Sequence, residues 1–237
     1  MNDERRAVVL VHDRDPELGF RNIGTLGPEL LARGYELDVH SFDYGMGTDA
    51  PSLEGADMLV VMGSPAAVYD DLPWIGPEAD YLAQAVGMDV PVLGVCFGGQ
   101  LLAQVLGGTV RKSDRPEHGM THIVSDRPES VAPGPWMEFH GDTFLAPASA
   151  TVVARNDAGQ QAFAAGQHLG LQFHPEIDVD VFSSWADAWA RDGVEHDPVL
   201  VDAIRRDVAA NEDAARERCA LLLDAWIGTR NTVARTA

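Results

Sequence analysis

The sequence predicts an α/β fold: an open, mostly parallel sheet with helices on both faces, extra antiparallel strands in the second half, and helices at the C-terminal end. Three observations carry this expectation. Short continuous apolar runs alternate with stretches of helical spacing from Ala7 to the segment following Cys96, the mark of right-handed βαβ units. From Thr109 to about Gln172 the pattern shifts to shorter, turn-bounded segments, which suit antiparallel strands or a sheet extension. The chain's 237 residues, 46% of them hydrophobic, can bury a full core, so one domain over 1–237 is expected, with a C-terminal helical extension at about 179–229.

The elements follow in order. Ala7–Val11 (AVVLV) is continuous, apolar and largely β-branched, as a buried strand is. Ile23, Leu26, Leu30 and Leu31 recur at helical spacing and Gly34 supplies a stop. Glu36–Phe42 alternates as a second strand; Asp57–Met62 (DMLVVM) is a third, ending at the Gly63-Ser64-Pro65 turn. Pro77–Val86 carries a helical pattern, and Val90–Val95 returns to strand character. THIVSD, ATVVAR, QAFAAG and HLGLQF are the later strand segments. In the helical remainder, Leu200, Val201, Ile204 and Val208 form one apolar stripe, and Cys219, Leu222, Leu223 and Trp226 another. Cys219 therefore belongs to the core, and Trp185 and Trp189, one helical turn apart, are expected there too.

Composition narrows the function. A formal net charge of −20 disfavours a sequence-independent grip on nucleic acid and disfavours an anionic membrane surface. Small-molecule or protein partners fit better. Two cysteines form no disulfide framework, so a reducing cytoplasm is the default. The apolar run near the N-terminus is shorter than the ~7 residues of a signal-peptide core. No stretch approaches a membrane span.

The stretch PVLGVCFGGQLLAQ places Cys96 between an apolar strand and an amphipathic helix, in the pattern G-x-C-x-G. A sharp strand-to-helix turn holds its central residue in a strained conformation, and side chains at Gly94 and Gly98 would collide. Such an elbow exposes the sulfur at the carboxyl edge of the sheet, where the helix N-terminus favours thiolate. It also aims the Phe97 backbone N–H at the space where a substrate oxyanion forms; Gly63, after the third strand, is placed to give a second donor. The alternative is a buried small residue whose glycines merely let helix and sheet pack closely.

A base decides between them. His174 ends GLQF and precedes Pro175 and Glu176. Proline keeps the preceding residue extended, and positions i and i+2 of an extended chain face one side, so His174 and Glu176 point together. An imidazole beside a carboxylate has a fixed tautomer and a stabilised protonated form, as a partner for a cysteine requires. His12, His40, His118, His122, His168 and His196 lack such a setting and read as surface or packing residues. No CxxC or HxxxH pair supplies zinc ligands, and no metal or cofactor is expected.

At this point the chain resembles the class I (triad) glutamine amidotransferases, especially the glutaminase domain of GMP synthase. The resemblance runs through VMGSPAAVYDDLPWI (61–75), PVLGVCFGGQLLAQVLGG (91–108), FHGDTF (139–144) and LGLQFHPE (169–176). It implies a flavodoxin-like sheet and release of ammonia from glutamine through a γ-glutamyl thioester. It makes Cys96 the nucleophile, His174 the acid/base and Glu176 its orienter, with oxyanion donors on Gly63 and Phe97. Gln100 matches a position associated with substrate glutamine, and His140 and Asp142 match a loop near its head group. The oxyanion turn reads MGSP where the family often has GGP.

The leading expectation is a stand-alone glutaminase-type hydrolase giving glutamate and ammonia. No G-x-x-x-x-G-K phosphate loop occurs, so ammonia is consumed by a separate synthase partner or by nothing. The alternative is a γ-glutamyl peptidase using the same triad on a γ-glutamyl conjugate. A third reading, a regulatory domain retaining the fold, sits poorly with an intact Cys/His/Glu set. A dinucleotide oxidoreductase is excluded in practice, because HDRDPELG and not G-x-G-x-x-G follows the first strand.

Overall fold

A computed structural model of the chain describes residues 5–13, 16–42 and 50–233. Among them, nine strands form one sheet in the order β2-β1-β3-β4-β9-β8-β7-β5-β6. In chain order the strands are β1 (Arg5–Val11), β2 (Tyr35–Ser41), β3 (Met58–Val61), β4 (Val92–Val95), β5 (Thr109–Ser125), β6 (Gly134–Leu145), β7 (Thr151–Asn156), β8 (Gly159–Ala165) and β9 (His168–Leu171). The helices are α1 (Pro16–Asn22), α2 (Leu26–Ala32), α3 (Ile75–Gly87), α4 (Phe97–Val105), α5 (Val179–Asp192) and α6 (Pro198–Val233).

The fold class is the expected one. Strands β2, β1, β3, β4 and β9 are mutually parallel, and β9, β8, β7, β5 and β6 continue the sheet antiparallel. Strands β1, β3 and β4 are buried almost throughout, which is why their sequences are unbroken apolar runs rather than alternating ones. Strand β9, the last in the chain, lies between β4 and β8 and so joins the two halves.

Two core clusters pack against the sheet. One joins Val9, Val60 and Leu93 to Trp136 and to Cys219, Leu222, Leu223 and Trp226 of α6. The other joins Val8, Leu59 and Val61 to α3 and α4. The C-terminal stripe thus belongs to the same core as the first strand, and burial pushes the Cys219 thiol up to about 12.

Several elements depart from the sequence pattern in detail. The helical run expected over Ile23–Leu31 is helical only from Leu26, in α2; Gly24, at φ +54°, separates it from α1, and Leu31 faces solvent. The C-terminal helical region divides at Gly193, left-handed at φ 70°, while Asp178 caps the start of α5 by accepting from the Val181 N–H at 2.8 Å. Leu200 is exposed rather than part of the buried stripe, which Ile204 and Val208 carry. The FHGDTF segment expected as a loop is strand, inside β6 and paired with β5.

Leu222→Ala is expected to cost about 2–5 kcal/mol by opening a cavity beside the first strand. Denaturant unfolding checks this; a loss far smaller would place α6 outside the shared core.

Candidate active site

Four parallel strands bring their carboxyl ends to one cleft, the position where open α/β sheets bind ligands. His12 follows β1, Gly63 follows β3, Cys96 follows β4 and His174 follows β9; all four line a cavity of about 460 Å³. The far wall comes from β6 (Phe139, His140, Asp142) and α5 (Trp185, Trp189).

Cys96 sits at φ 50°, ψ −106°, a conformation that non-glycine residues rarely adopt and that costs about 1–3 kcal/mol. Its backbone is held from both sides: its N–H donates to the Leu171 carbonyl at 3.0 Å, and its carbonyl accepts from Gln100 N–H at 2.9 Å. The flanking glycines are needed for the reason the motif suggests. A Cβ on Gly94 would lie 2.4 Å from the Gly98 carbonyl oxygen, and one on Gly98 would lie 2.1 Å from that of Val61. Phe97 opens α4, so its N–H has no intrahelical carbonyl to bond.

The structure brings Cys96, His174 and Glu176 together although Cys96 and His174 come from distant parts of the chain. His174 Nδ1 lies 2.7 Å from Glu176 Oε1, and both side chains are buried. The His174 ring also contacts the Cys96 sulfur. Burial works against a charged ring here, but the Glu176 carboxylate and Cys96 hold the His174 pKa well above the ordinary histidine value. Backbone bonds fix the segment: the His174 N–H donates to the Met137 carbonyl at 2.8 Å, Thr25 N–H to Glu176 O at 2.9 Å, and Thr25 Oγ1 to Pro175 O at 3.1 Å.

Gly63 lies against both groups, since a Cβ there would fall 2.9 Å from His174 Cε1 and 3.7 Å from Cys96 Cβ. Its carbonyl accepts from His12 Nδ1 at 2.9 Å, and His12 Nε2 sits 3.0 Å from both oxygens of Glu78. His12 is buried against Trp74 and Phe97, as a packing residue is, and these hydrogen bonds add to that packing. Burial opposes its charge, and Glu78 outweighs that opposition to raise its pKa. Because the peptide is trans, fixing the Gly63 carbonyl also fixes the Ser64 N–H on the opposite side. His118, exposed and packed on Phe139, and His196, packed on Trp189, fit the surface or packing reading and also line the cleft. No local spacing links His12 to Glu78, 66 residues apart, so sequence reading missed the pair.

The remaining expected residues are partly engaged already. Gln100 is buried, and its Nε2 donates at 3.3 Å to the Asp142 carbonyl and at 3.4 Å to Gln172 Oε1. Gln172, unforeseen, reaches the Cys96 sulfur at 3.9 Å. Asp142 Oδ1 accepts from the Tyr69 hydroxyl at 2.7 Å, a bond that pushes the phenol up to about 12. His140 Nε2 lies 3.3 Å from Glu117 and 3.2 Å from Glu138. Burial disfavours the His140 charge, yet those two carboxylates raise its pKa to about 10, while burial pushes Glu138 up to about 7. Glu117, Glu138 and His140 are the one group among the described residues whose ligand atoms, within 4.8 Å of each other, could hold a metal ion. Asn156 and Gln161 amides already bond Glu117, at 2.7 and 2.8 Å. Trp185 and Trp189 are half-buried: they pack against the core cluster of Phe182, Ile177 and Met137, as expected, and their other side lines the cleft.

Residues 23–184 match the family model for glutamine amidotransferase class-I, and the chain belongs to that family. It is 34% identical over 148 residues to a glutamine-hydrolyzing GMP synthase subunit from Sulfolobus acidocaldarius, covering 56% of this chain and 77% of that one. It is 35% identical over 170 residues to the GMP synthase of Synechococcus, where the match spans 66% of this chain and 30% of the larger protein. The fold is similar to a glutamine amidotransferase from Thermotoga maritima, with TM-score 0.78, 22% identity, and coverage of 94% and 98%. A glutamine amidotransferase from Methylobacillus flagellatus gives TM-score 0.77 at 25% identity, with 95% of each chain covered. Among the described residues no helix is long and apolar enough to cross a membrane.

Two expectations test this geometry. Glu176→Gln removes the carboxylate that supports the His174 charge, so an NMR titration of that ring finds a lower pKa; an unchanged value contradicts the pairing. His12→Ala leaves Glu78 buried without its partner and lowers stability by about 3–5 kcal/mol. Since the folded pKa of His12 is raised, its contribution is fully present below the ordinary histidine value and is lost as pH rises through the raised one. Unfolding curves of both proteins across that range therefore converge toward alkaline pH.

Proposed function

We propose that this class I glutamine amidotransferase hydrolyses the γ-amide of glutamine to glutamate and ammonia through a thioester on Cys96. The observation that carries this reading is the buried His174–Glu176 pair, 2.7 Å apart, set against a cysteine in a strained strand-to-helix turn. The chain acts as one amidotransferase-like domain in the cytoplasm, and residues 179–229 form part of it.

The steps follow from the placement. With His174 protonated beside it, Cys96 attacks as thiolate, the stronger nucleophile. Negative charge develops on the γ-carbonyl oxygen, and backbone N–H groups at Phe97 and in the Gly63 turn receive it; Ser64, opposite the His12-held carbonyl, adds a donor to that turn. Each such donor is worth about 3 kcal/mol of barrier. His174 then protonates the departing nitrogen and, held by Glu176, takes a proton from the water that opens the thioester. Gln100, His140 and Asp142 meet the head group. Ammonia passes to a separate synthase partner, a reading supported by the name of the Sulfolobus relative, which is one subunit of its synthase. A γ-glutamyl conjugate would react by the same steps, with a different leaving group.

Cys96→Ala is expected to lower glutamate release from glutamine at least about a thousandfold while leaving the unfolding transition in place. Retained turnover in a folded Cys96→Ala protein would overturn the mechanism.

A further inference from the structure

The cleft continues beyond Cys96 and His174, and its far wall is aromatic. Trp185 sets its ring against His174 in an edge contact, with centroids 4.8 Å apart and planes at 69°. One turn further along α5, Trp189 stacks on Phe139 of β6 at 4.8 Å and 20°, and His196 closes the end 4.2 Å from Trp189. All four side chains line the cavity of about 460 Å³ and are only half-buried. That volume is in the range that encloses drug-sized ligands, and the rings, packed on one another, leave an apolar surface along the cavity.

We infer that this wall is a leaving-group subsite, and that among N-substituted γ-glutamyl amides the site prefers that of a primary amine bearing a flat aryl group and no carboxylate. The inference rests on the proposed roles of Cys96 and His174. An acid that protonates the departing nitrogen must lie within hydrogen-bond reach of it. Any substituent on that nitrogen therefore runs past His174 and onto Trp185 and Trp189. Ammonia leaves this apolar surface uncovered, whereas an aryl group covers it and is stabilised by doing so. Charge selects against a carboxylate on the amine. Asp13, Asp142, Glu176 and Asp192 line the cavity; Arg191, the one Lys or Arg among its lining residues, is paired with Asp192 at 3.3 Å, and the lining imidazoles of His12, His140 and His174 each already face a carboxylate of the chain.

The chemistry balances with water alone. Cys96 Sγ bonds to the γ-carbonyl carbon, the carbon–nitrogen bond breaks as His174 gives its proton to nitrogen, and the neutral amine departs along the wall. Water then attacks the thioester carbon and gives a proton to His174, the carbon–sulfur bond breaks, and glutamate leaves.

The test compares kcat/KM of the full chain for glutamine, γ-glutamyl-ethylamide, γ-glutamyl-phenethylamide and γ-glutamyl-phenylalanine, read as glutamate release. Phenethylamide is expected to exceed ethylamide by about tenfold or more, a discrimination within reach of an apolar pocket, and to exceed the phenylalanine conjugate. In Trp189→Ala the phenethylamide-to-ethylamide ratio falls toward one, and in Trp189→Phe it is kept. Equal values for the two amides, or preference for the phenylalanine conjugate, overturn the subsite. If glutamine is still turned over with Cys96 required, the triad reading survives that failure; no Cys96-dependent release from any of the four overturns the triad reading as well.

Discussion

The conformation of Cys96 is the constraint on which the cleft depends. At φ 50° it is one of two described non-glycine residues with positive φ, and the other, Asp89, follows a helix end with no part in the cleft. The strain persists because strand, helix and neighbouring carbonyls over-determine it. Leu171 of β9 receives its N–H, α4 uses its carbonyl, and two glycines let backbone come closer than any side chain permits. The bond to Leu171 also sets the distance between β4 and the segment that carries His174. The turn and the imidazole are thus positioned by one piece of sheet.

Electrostatically the cleft is unlike the rest of the molecule. The chain carries a formal net charge of −20, yet its cleft holds three imidazoles whose pKa values are raised: His12 by Glu78, His140 by Glu117 and Glu138, and His174 by Glu176. Each cation is paired and largely removed from water, so its orientation is fixed. The three rings hold different places in the cleft: His174 lies beside Cys96, His12 grips the Gly63 carbonyl, and His140 is part of the β6 wall.

How much of this could be read from the chain depended on how local the signal was. Cys96 was legible because its glycines are two residues away on either side, and His174 with Glu176 because an extended chain puts i and i+2 on one face. The parallel strands were legible because burial on both faces leaves unbroken apolar runs. His12 with Glu78 and His140 with Glu117 were not, because the first joins the end of β1 to α3 across 66 residues and the second depends on the β5–β6 register, both of which only the folded chain supplies. Trp185 and Trp189 were legible only in part, as residues packed on the core. Helical spacing shows that they share a face, but not whether that face meets the core or a cleft. The shift in β5–β6 register between Lys112 and Glu117, which brings Glu117 opposite His140, leaves no trace in composition.

The position of β9 has a consequence for biosynthesis. The strand made last occupies the middle of the sheet, between β4 and β8, so the two halves cannot join until residues 168–171 have been translated. A nascent polypeptide that has emerged only through α4 carries the Cys96 thiol without His174, Glu176 or the Leu171 carbonyl that restrains the elbow. The proposed catalytic set is therefore completed only when the strand that joins the two halves of the sheet, and the residues just after it, have been made.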